Sequence, residues 1–218
     1  ITTNYSVDTS MKMEAILIAE EECVVAGLSI LPHCFPKDII IQSFIRDGGI
    51  GKANEVLAKI CGSARTILKR ERVVLNLLQR LCGIATKTRQ YVKRTQNYNF
   101  KVLDTRKMTP GLRMFEKFAV AVGGGFNHRL DLSTAVLIKD NHIISAGGLE
   151  PAVKKIQDSN PEIPIELEVD TLKQLKQGLD MNVDGFLLDN MSPDLVKKAL
   201  KIVDEHSNGT DVFVEASG

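Results

Sequence analysis

Hydrophobic and polar positions alternate differently in the two halves of the chain. Residues 11–27, MKMEAILIAEEECVVAG, form two β-prone runs joined by acidic residues, and DIIIQSFIRDGG over 38–49 ends in a glycine-rich turn. This opening stretch predicts an α+β unit. A helical period then takes over, with Leu75, Leu78, Leu81, Cys82 and Ala85 on one face at three- and four-residue steps. It predicts a long helix between two domains, residues 1–74 and 75–218.

Beyond Asn99 short apolar strands alternate with helices. The strands are FKVLD, AVLIKD, PIELEV, GFLLD and DVFVEAS. One helix is opened by Thr109 and Pro110, with Leu112, Phe115, Phe118 and Val122 on its face, and another starts near Leu149. A third is capped by Thr171, and a fourth is opened by Ser192 and Pro193. Successive βα units imply a parallel sheet, either doubly wound or a barrel. Because the sequence stops at Gly218, directly after a strand, a barrel could not close there, and a longer natural chain is expected.

Composition narrows the class. At 218 residues, 44% hydrophobic and 25% charged, the chain suits an ordinary folded protein. With 28 basic against 27 acidic residues, 5% aromatic content and no Trp, it is a poor match for a nucleic-acid binder, and a small-molecule ligand is expected instead. Apolar runs such as Ala15–Ala19 and Phe118–Val122 fall far short of the ~20 residues of a membrane span. Cys23, Cys34, Cys61 and Cys82 form no C-x-x-C pair and read as reduced thiols of a cytoplasmic protein. Charge is nonetheless polarised: residues 65–107 hold twelve Lys or Arg against two acids, and residues 150–205 seven Lys against twelve acids. Opposite signs within one protein suit a multiply anionic ligand beside a cation.

Every strand of the second half finishes in charge: Asp104, Arg106 and Lys107; Lys139, Asp140 and His142; Glu168 and Asp170; Asp189; Glu215 and Ser217. In βα folds these ends form the mouth of the active site. Alternation in PIELEVD puts Glu166, Glu168 and Asp170 on one face and Ile165, Leu167 and Val169 on the other, while Lys139 interrupts an apolar strand. Charges there are costly unless paired or bound to a ligand, which favours a functional role for Glu168 and Lys139. The Gly123–Gly125 run follows a helix and lacks the G-x-G-x-x-G spacing, so it ends that helix and turns His128 and Arg129 inward instead of binding a dinucleotide.

Together, ERVVLNLLQRLCGIAT, LDTRKMTPGLRMFEKFAVAVGGGFNHR, VLIKDNH, ELEVD and LLDN closely resemble the quinolinate phosphoribosyltransferase family, with order and spacing agreeing from ITT to EASG. The resemblance implies an N-terminal α/β sandwich domain followed by an open parallel α/β barrel, incomplete in this sequence. It implies Mg²⁺-dependent transfer from 5-phosphoribosyl-1-diphosphate to quinolinate, giving nicotinate mononucleotide, diphosphate and CO₂ in NAD synthesis. Carried over by motif, Arg106, His128, Arg129 and Lys139 would hold the quinolinate carboxylates, with His142 nearby. Lys107 would meet the phosphoribosyl diphosphate, Glu168 and Asp189 its ribose and metal, and Ser217 and Gly218 would begin a phosphate loop. Arg72 resembles an arginine that the family donates across a homodimer interface. Met108 and Cys82 depart from the family's usual Thr and Ser, at positions with no ligand role.

Two other readings stay open on the residues alone. Lys139 could form the Schiff base of a barrel aldolase. A non-catalytic relative could hold an anionic metabolite in the same pocket.

Overall fold

The computed structural model describes residues 1–129, 136–159, 162–206 and 212–218. Packing divides the chain into two units, residues 1–128 and 129–218. Among the described residues, no helix is long and apolar enough to cross a membrane.

The first unit begins with α1 (Thr2–Ser6) and β1 (Lys12–Ile18), then β2 (Cys23–Val24), α2 (Leu31–Cys34), β3 (Ile40–Ser43), β4 (Ile50–Gly51) and β5 (Val56–Ser63). The two β-prone runs at its start thus become β1 and β2. β5 is the central strand of an antiparallel sheet in the order β1-β5-β3, and β2 pairs with β4. Strict alternation along β1 puts Met13, Ala15 and Leu17 against a core of Val25, Leu28, Leu31, Leu57 and Ile60.

Helix α3 (Ala64–Thr95) runs unbroken through residues 74 and 75, where the sequence pattern changes. Its buried stripe explains this continuity. Ile67, Val74 and Leu78 belong to the sheet's core, whereas Leu81 and Ala85 pack with Val24, Ala26 and Ala119 in a second cluster. One face serves two cores in succession, so the helix has no reason to break between them.

The segment after α3 departs from expectation twice. FKVLD does not form a strand of a sheet; it contributes one parallel bridge, Leu103 to Phe126, closed by the Phe126 N–H to Val102 O (2.8 Å) and the Asp104 N–H to Phe126 O (3.0 Å). Thr109 and Pro110 do not open a helix either. α4 (Arg113–Val122) starts three residues later, because Gly111 takes a left-handed φ of 79° that ends the Thr109–Leu112 turn. Thr109 serves elsewhere: its N–H donates to Glu116 Oε2 (3.2 Å) and its hydroxyl accepts from Arg80.

The glycine run behaves as its position suggests. A methyl on Gly123 would lie 2.6 Å from Ala85 O and from Thr88 Cβ, so only glycine lets α4 end against α3. Arg89 donates to the carbonyls of Gly123 (2.8 Å) and Val122 (3.2 Å), satisfying the terminal acceptors of α4.

The second unit contains β6 (Val136–Ile138), α5 (Asp140–Ala146), α6 (Leu149–Ser159), β7 (Ile165–Val169), α7 (Leu172–Leu179), β8 (Gly185–Asp189), α8 (Pro193–His206) and β9 (Phe213–Ser217). Four of the five expected strands are present, in a parallel sheet ordered β6-β7-β8-β9. Ala135 and Asp211, read as the first residues of two of these strands, lie outside the described residues. α7 starts as expected, with Thr171 Oγ accepting the Gln174 N–H (3.3 Å) and Gln174 reaching back to Thr171. α8 starts at Pro193 behind Ser192. Helix α5 had no forecast: β6 ends one residue short of Lys139, which becomes an N-cap.

Buried charge holds the first unit's last segment. Lys117 and Asp104 form an ion pair at 2.5 Å with side chains only 2% and 3% exposed; the ammonium also donates to His128 O (3.0 Å), and the carboxylate accepts the His128 N–H (2.9 Å). Lys117→Met is therefore expected to destabilise the protein by about 3–5 kcal/mol, because it leaves a buried carboxylate without its counter-ion. Urea unfolding should show a clearly lower midpoint, and adding Asp104→Asn should recover part of the loss.

Candidate active site

In the second unit the parallel register sorts side chains into two faces. Ile138, Leu167, Phe186 and Leu188 join Val153, Leu175 and Ala199 in one apolar cluster. The opposite face is built from pairs of the same register: Leu137 beside Glu166 beside Gly185 beside Phe213, and, one step toward the strand ends, Glu168 beside Leu187 beside Glu215. Asp189 and Ser217 pair one step further on. Charges thus line one face of a sheet whose other face is core, as the alternation in PIELEVD implied.

Lys139 and Glu168 meet in an ion pair, the carboxylate only 13% exposed. Lys139 is also the N-cap of α5, and its N–H donates to His142 Nδ1 (3.0 Å). His142 is thereby oriented by the turn, leaving Nε2 as the ring atom to face a ligand. At the neighbouring strand ends Asp189 Oδ1 accepts from Ser217 Oγ (2.9 Å) and Oδ2 from the Asn190 amide (2.9 Å). The Asn190 N–H donates to Ser217 O (2.8 Å), which fastens the end of β9 beside Asp189. Gly218 follows with φ 157°, and a methyl on it would lie 3.3 Å from Asn190 Cα.

Sequence reasoning gave no site role to Glu166 and Glu215. Glu166 is 6% exposed, deeper in the sheet than Glu168, and the Glu166 and Glu215 carboxylates each bring an oxygen within 4.8 Å of the other. Burial first, then Glu215, push the Glu166 carboxyl up to about 7; Arg129 pulls against this, Glu168 adds to it, and Lys139 opposes it. The alternation that singled out Glu168 already contained Glu166. On the next strand its register neighbour is Gly185, over which the Phe213 ring of β9 lies.

Of the remaining predicted residues, Arg129 is half-buried at the start of the second unit, and the others belong to the first. Arg106 and Lys107 are exposed in the segment before α4, the Lys107 N–H donating to Thr105 Oγ1 (3.1 Å). His128 is half-buried with its backbone held by Asp104 and Lys117, and Arg72 is exposed on α3. The structure brings together Lys139 with Glu168 and His142, and Asp189 with Ser217.

Glu168 and Asp189 offer only carboxylate oxygens, each with a second lone pair beyond the contacts above. That donor set fits a hard divalent cation such as Mg²⁺ and not a thiolate-seeking metal.

A two-part α/β protein with carboxylates and a lysine on one face of a parallel sheet defines a class of enzymes acting on anionic substrates at strand ends. Residues 1–82 match the N-terminal domain of quinolinate phosphoribosyl transferase, and residues 84–218 match its C-terminal domain. The chain belongs to the quinolinate phosphoribosyltransferase family. It is 40% identical over 220 residues to the probable nicotinate-nucleotide pyrophosphorylase (carboxylating) of Bacillus subtilis, a match covering 99% of this chain and 74% of the relative. Against the protein of the same name from Methanocaldococcus jannaschii it is 38% identical, covering 100% and 78%. The crystal structure of NadC from Streptococcus pyogenes superposes with a TM-score of 0.88 at 36% identity, covering 100% of this chain and 76% of that one.

The raised Glu166 carboxyl has a pH signature. Between its ordinary value near 4.5 and about 7, the folded protein keeps a proton that the unfolded chain has lost. Stability from this group is present below the lower value and falls as pH rises through about 7. Glu166→Gln should match the wild type in urea midpoint near pH 5 and exceed it near pH 8. Equal midpoints at both pH values would place the carboxyl in ordinary surroundings.

Proposed function

We propose that this protein catalyses the carboxylating transfer of a phosphoribosyl group from 5-phosphoribosyl-1-diphosphate to quinolinate, producing nicotinate mononucleotide, diphosphate and CO₂ for NAD synthesis. The observation that carries the reading is the pairing of Lys139 with Glu168 on the charged face of the sheet, in a chain matched by both family domains.

Quinolinate carries carboxylates on adjacent ring carbons. Arg106, His128, Arg129 and Lys139 are the cations assigned to them, with His142 nearby, since guanidinium forks and a compact ammonium match two neighbouring carboxylates better than an apolar wall does. Lys107 is assigned to the phosphoribosyl diphosphate, and Ser217 and Gly218 to the start of a phosphate loop. As the bond from ribose to diphosphate breaks, the sugar gains oxocarbenium character, and Glu168 and Asp189 lie on the assigned face to stabilise it. The pyridinium nitrogen made in that step is the electron sink for loss of CO₂, so no general base is required. Mg²⁺, held by Glu168 and Asp189, would neutralise charge on the diphosphate.

The ion pair disfavours the aldolase alternative. A Schiff-base lysine must lose its proton to attack a carbonyl, and a carboxylate beside Lys139 stabilises the ammonium instead.

Arg106→Ala and Arg129→Ala should each lower kcat/KM for quinolinate by about two to three decades, the effect of stranding a ligand carboxylate in a water-poor site. Lys139→Ala should behave alike, and Lys139→Arg should not rescue it. Glu168→Gln and Asp189→Asn should lower turnover more than quinolinate binding. Titration calorimetry that found binding lost in the carboxylate variants and kept in the arginine ones would reverse the assignment.

Arg72 is assigned to the site of a second subunit in a two-fold homodimer. Mixing Arg72→Ala with Arg106→Ala chains should then restore about a quarter of wild-type activity, since about half the dimers are mixed and each carries one intact site. Subunit exchange without recovery would assign Arg72 to its own chain.

A further inference from the structure

Arg106 and Lys107, assigned to quinolinate and to the phosphoribosyl diphosphate, lie on a stretch between Asp104 and Thr109 that joins no helix or sheet. Both side chains are exposed, and among the described residues neither has an ion-pair partner. Between the two ends, the one hydrogen bond among the described residues is local, from the Lys107 N–H to Thr105 Oγ1 (3.1 Å). Where these cations stand is therefore decided at the ends of the stretch.

Both ends are held by consecutive residues of α4 that carry opposite charges. At the first, Lys117 Nζ meets Asp104 Oδ1 (2.5 Å). At the second, Glu116 Oε2 accepts the Thr109 N–H (3.2 Å) while Oε1 accepts from Arg80 Nε (2.7 Å), and the same guanidinium donates to the Thr109 hydroxyl. Arg80 belongs to α3, so Thr109 is tied to two helices at once. Its carbonyl accepts the Leu112 N–H (3.0 Å), and the Leu112 carbonyl accepts the Glu116 N–H (2.9 Å), which closes the turn onto the same glutamate. Glu116 is 6% exposed, and a buried ion pair adds little stability over an apolar pair of the same volume. The arrangement calls for another use.

We propose that Glu116, with Arg80 as its counter-ion, is a positioning residue for substrate binding: it fixes Thr109, and through Thr109 the segment that presents Arg106 to quinolinate and Lys107 to 5-phosphoribosyl-1-diphosphate. It touches neither substrate. Pairing with Arg80 neutralises its charge, so the anchor offers Arg106 and Lys107 no competing anion. Without it the segment is tethered at Asp104 alone, and the two cations must be ordered at the moment of binding, a cost that falls on affinity. Because they share one segment, both substrates lose affinity together.

The inference rests on the quinolinate reading of the site, and one set of measurements separates the two. Steady-state kinetics and thermal melts would compare wild type with Glu116→Gln, Thr109→Val and Thr109→Ser. Wild type should consume quinolinate; failure to do so with 5-phosphoribosyl-1-diphosphate and Mg²⁺ present overturns both readings. Glu116→Gln, which keeps the shape and loses the charge, should raise the KM for both substrates roughly tenfold, with a smaller change in kcat. Thr109→Val removes only the hydroxyl that Arg80 holds and should raise both KM values in the same direction, whereas Thr109→Ser should restore them. At saturating 5-phosphoribosyl-1-diphosphate, adding Glu116→Gln to Arg106→Ala should lower kcat/KM for quinolinate by less than about twofold, since the group it acts through is gone. Unchanged KM values in Glu116→Gln and Thr109→Val overturn the positioning role and leave the function standing. A lower melting temperature and kcat with both KM values unchanged would mark a purely structural anchor and also overturns it, as does full additivity with Arg106→Ala. If Glu116→Gln does not fold, the contrast between Thr109→Val and Thr109→Ser decides by the same criteria.

Discussion

A parallel sheet is covered on both faces, and only one face of the sheet in the second unit can be covered by its own helices. The apolar residues of β6 to β9 take that role with α6, α7 and α8. The other face carries Lys139, Glu166, Glu168, Asp189 and Glu215, so its charges must compensate one another or be met by something from outside. The ion pair of Lys139 with Glu168, the contacts of Asp189 with Ser217 and Asn190, and the raised Glu166 carboxyl are three local answers to that single constraint. A face of this kind is poor at stabilising a fold and well suited to receiving a charged ligand.

The first unit solves a different problem. Its segment from 101 to 128 carries the helix α4 between two irregular stretches, and it is held by one buried ion pair, one β-bridge and three glycines that bring the end of α4 onto α3. Asp104 and Lys117 act on the backbone on either side of His128, so the segment that leads into Arg129 is fixed by charge instead of by a sheet. Few contacts can give such a segment definite geometry only if each is buried and fully paired.

What the sequence discloses and what it hides divide along physical range. Period-two alternation in Ile165–Val169 and the caps at Thr171 and Ser192 are set by residues within a few positions of one another, and they are legible. The pairing of Lys139 with Glu168 was half legible: each charge stood out from its strand, but not their contact. FKVLD has the composition of a strand, and nothing local reveals that its one partner is the turn at Phe126. Thr-Pro carries a genuine capping signal, which the left-handed Gly111 two residues on overrides. Nothing local marks Lys117 as buried, because its partner Asp104 lies thirteen positions away in an irregular segment. Glu166 was visible as one of an alternating set, but not its depth or its register neighbour, a glycine nineteen residues later on the adjacent strand.

That glycine has an evolutionary corollary. The ring of Phe213 occupies the volume that any side chain at position 185 would need, and the two residues face each other in register across β8 and β9. The two positions are coupled: enlarging residue 185 requires the Phe213 ring to move aside or shrink, and shrinking Phe213, itself 45% exposed, bares more of this face to water. Among relatives of this chain the pair is expected to vary as a unit, small with large, and a relative with two small residues there would have a wetter floor to its charged face. Substrate affinity could therefore shift in such a lineage with every charged residue of the face unchanged.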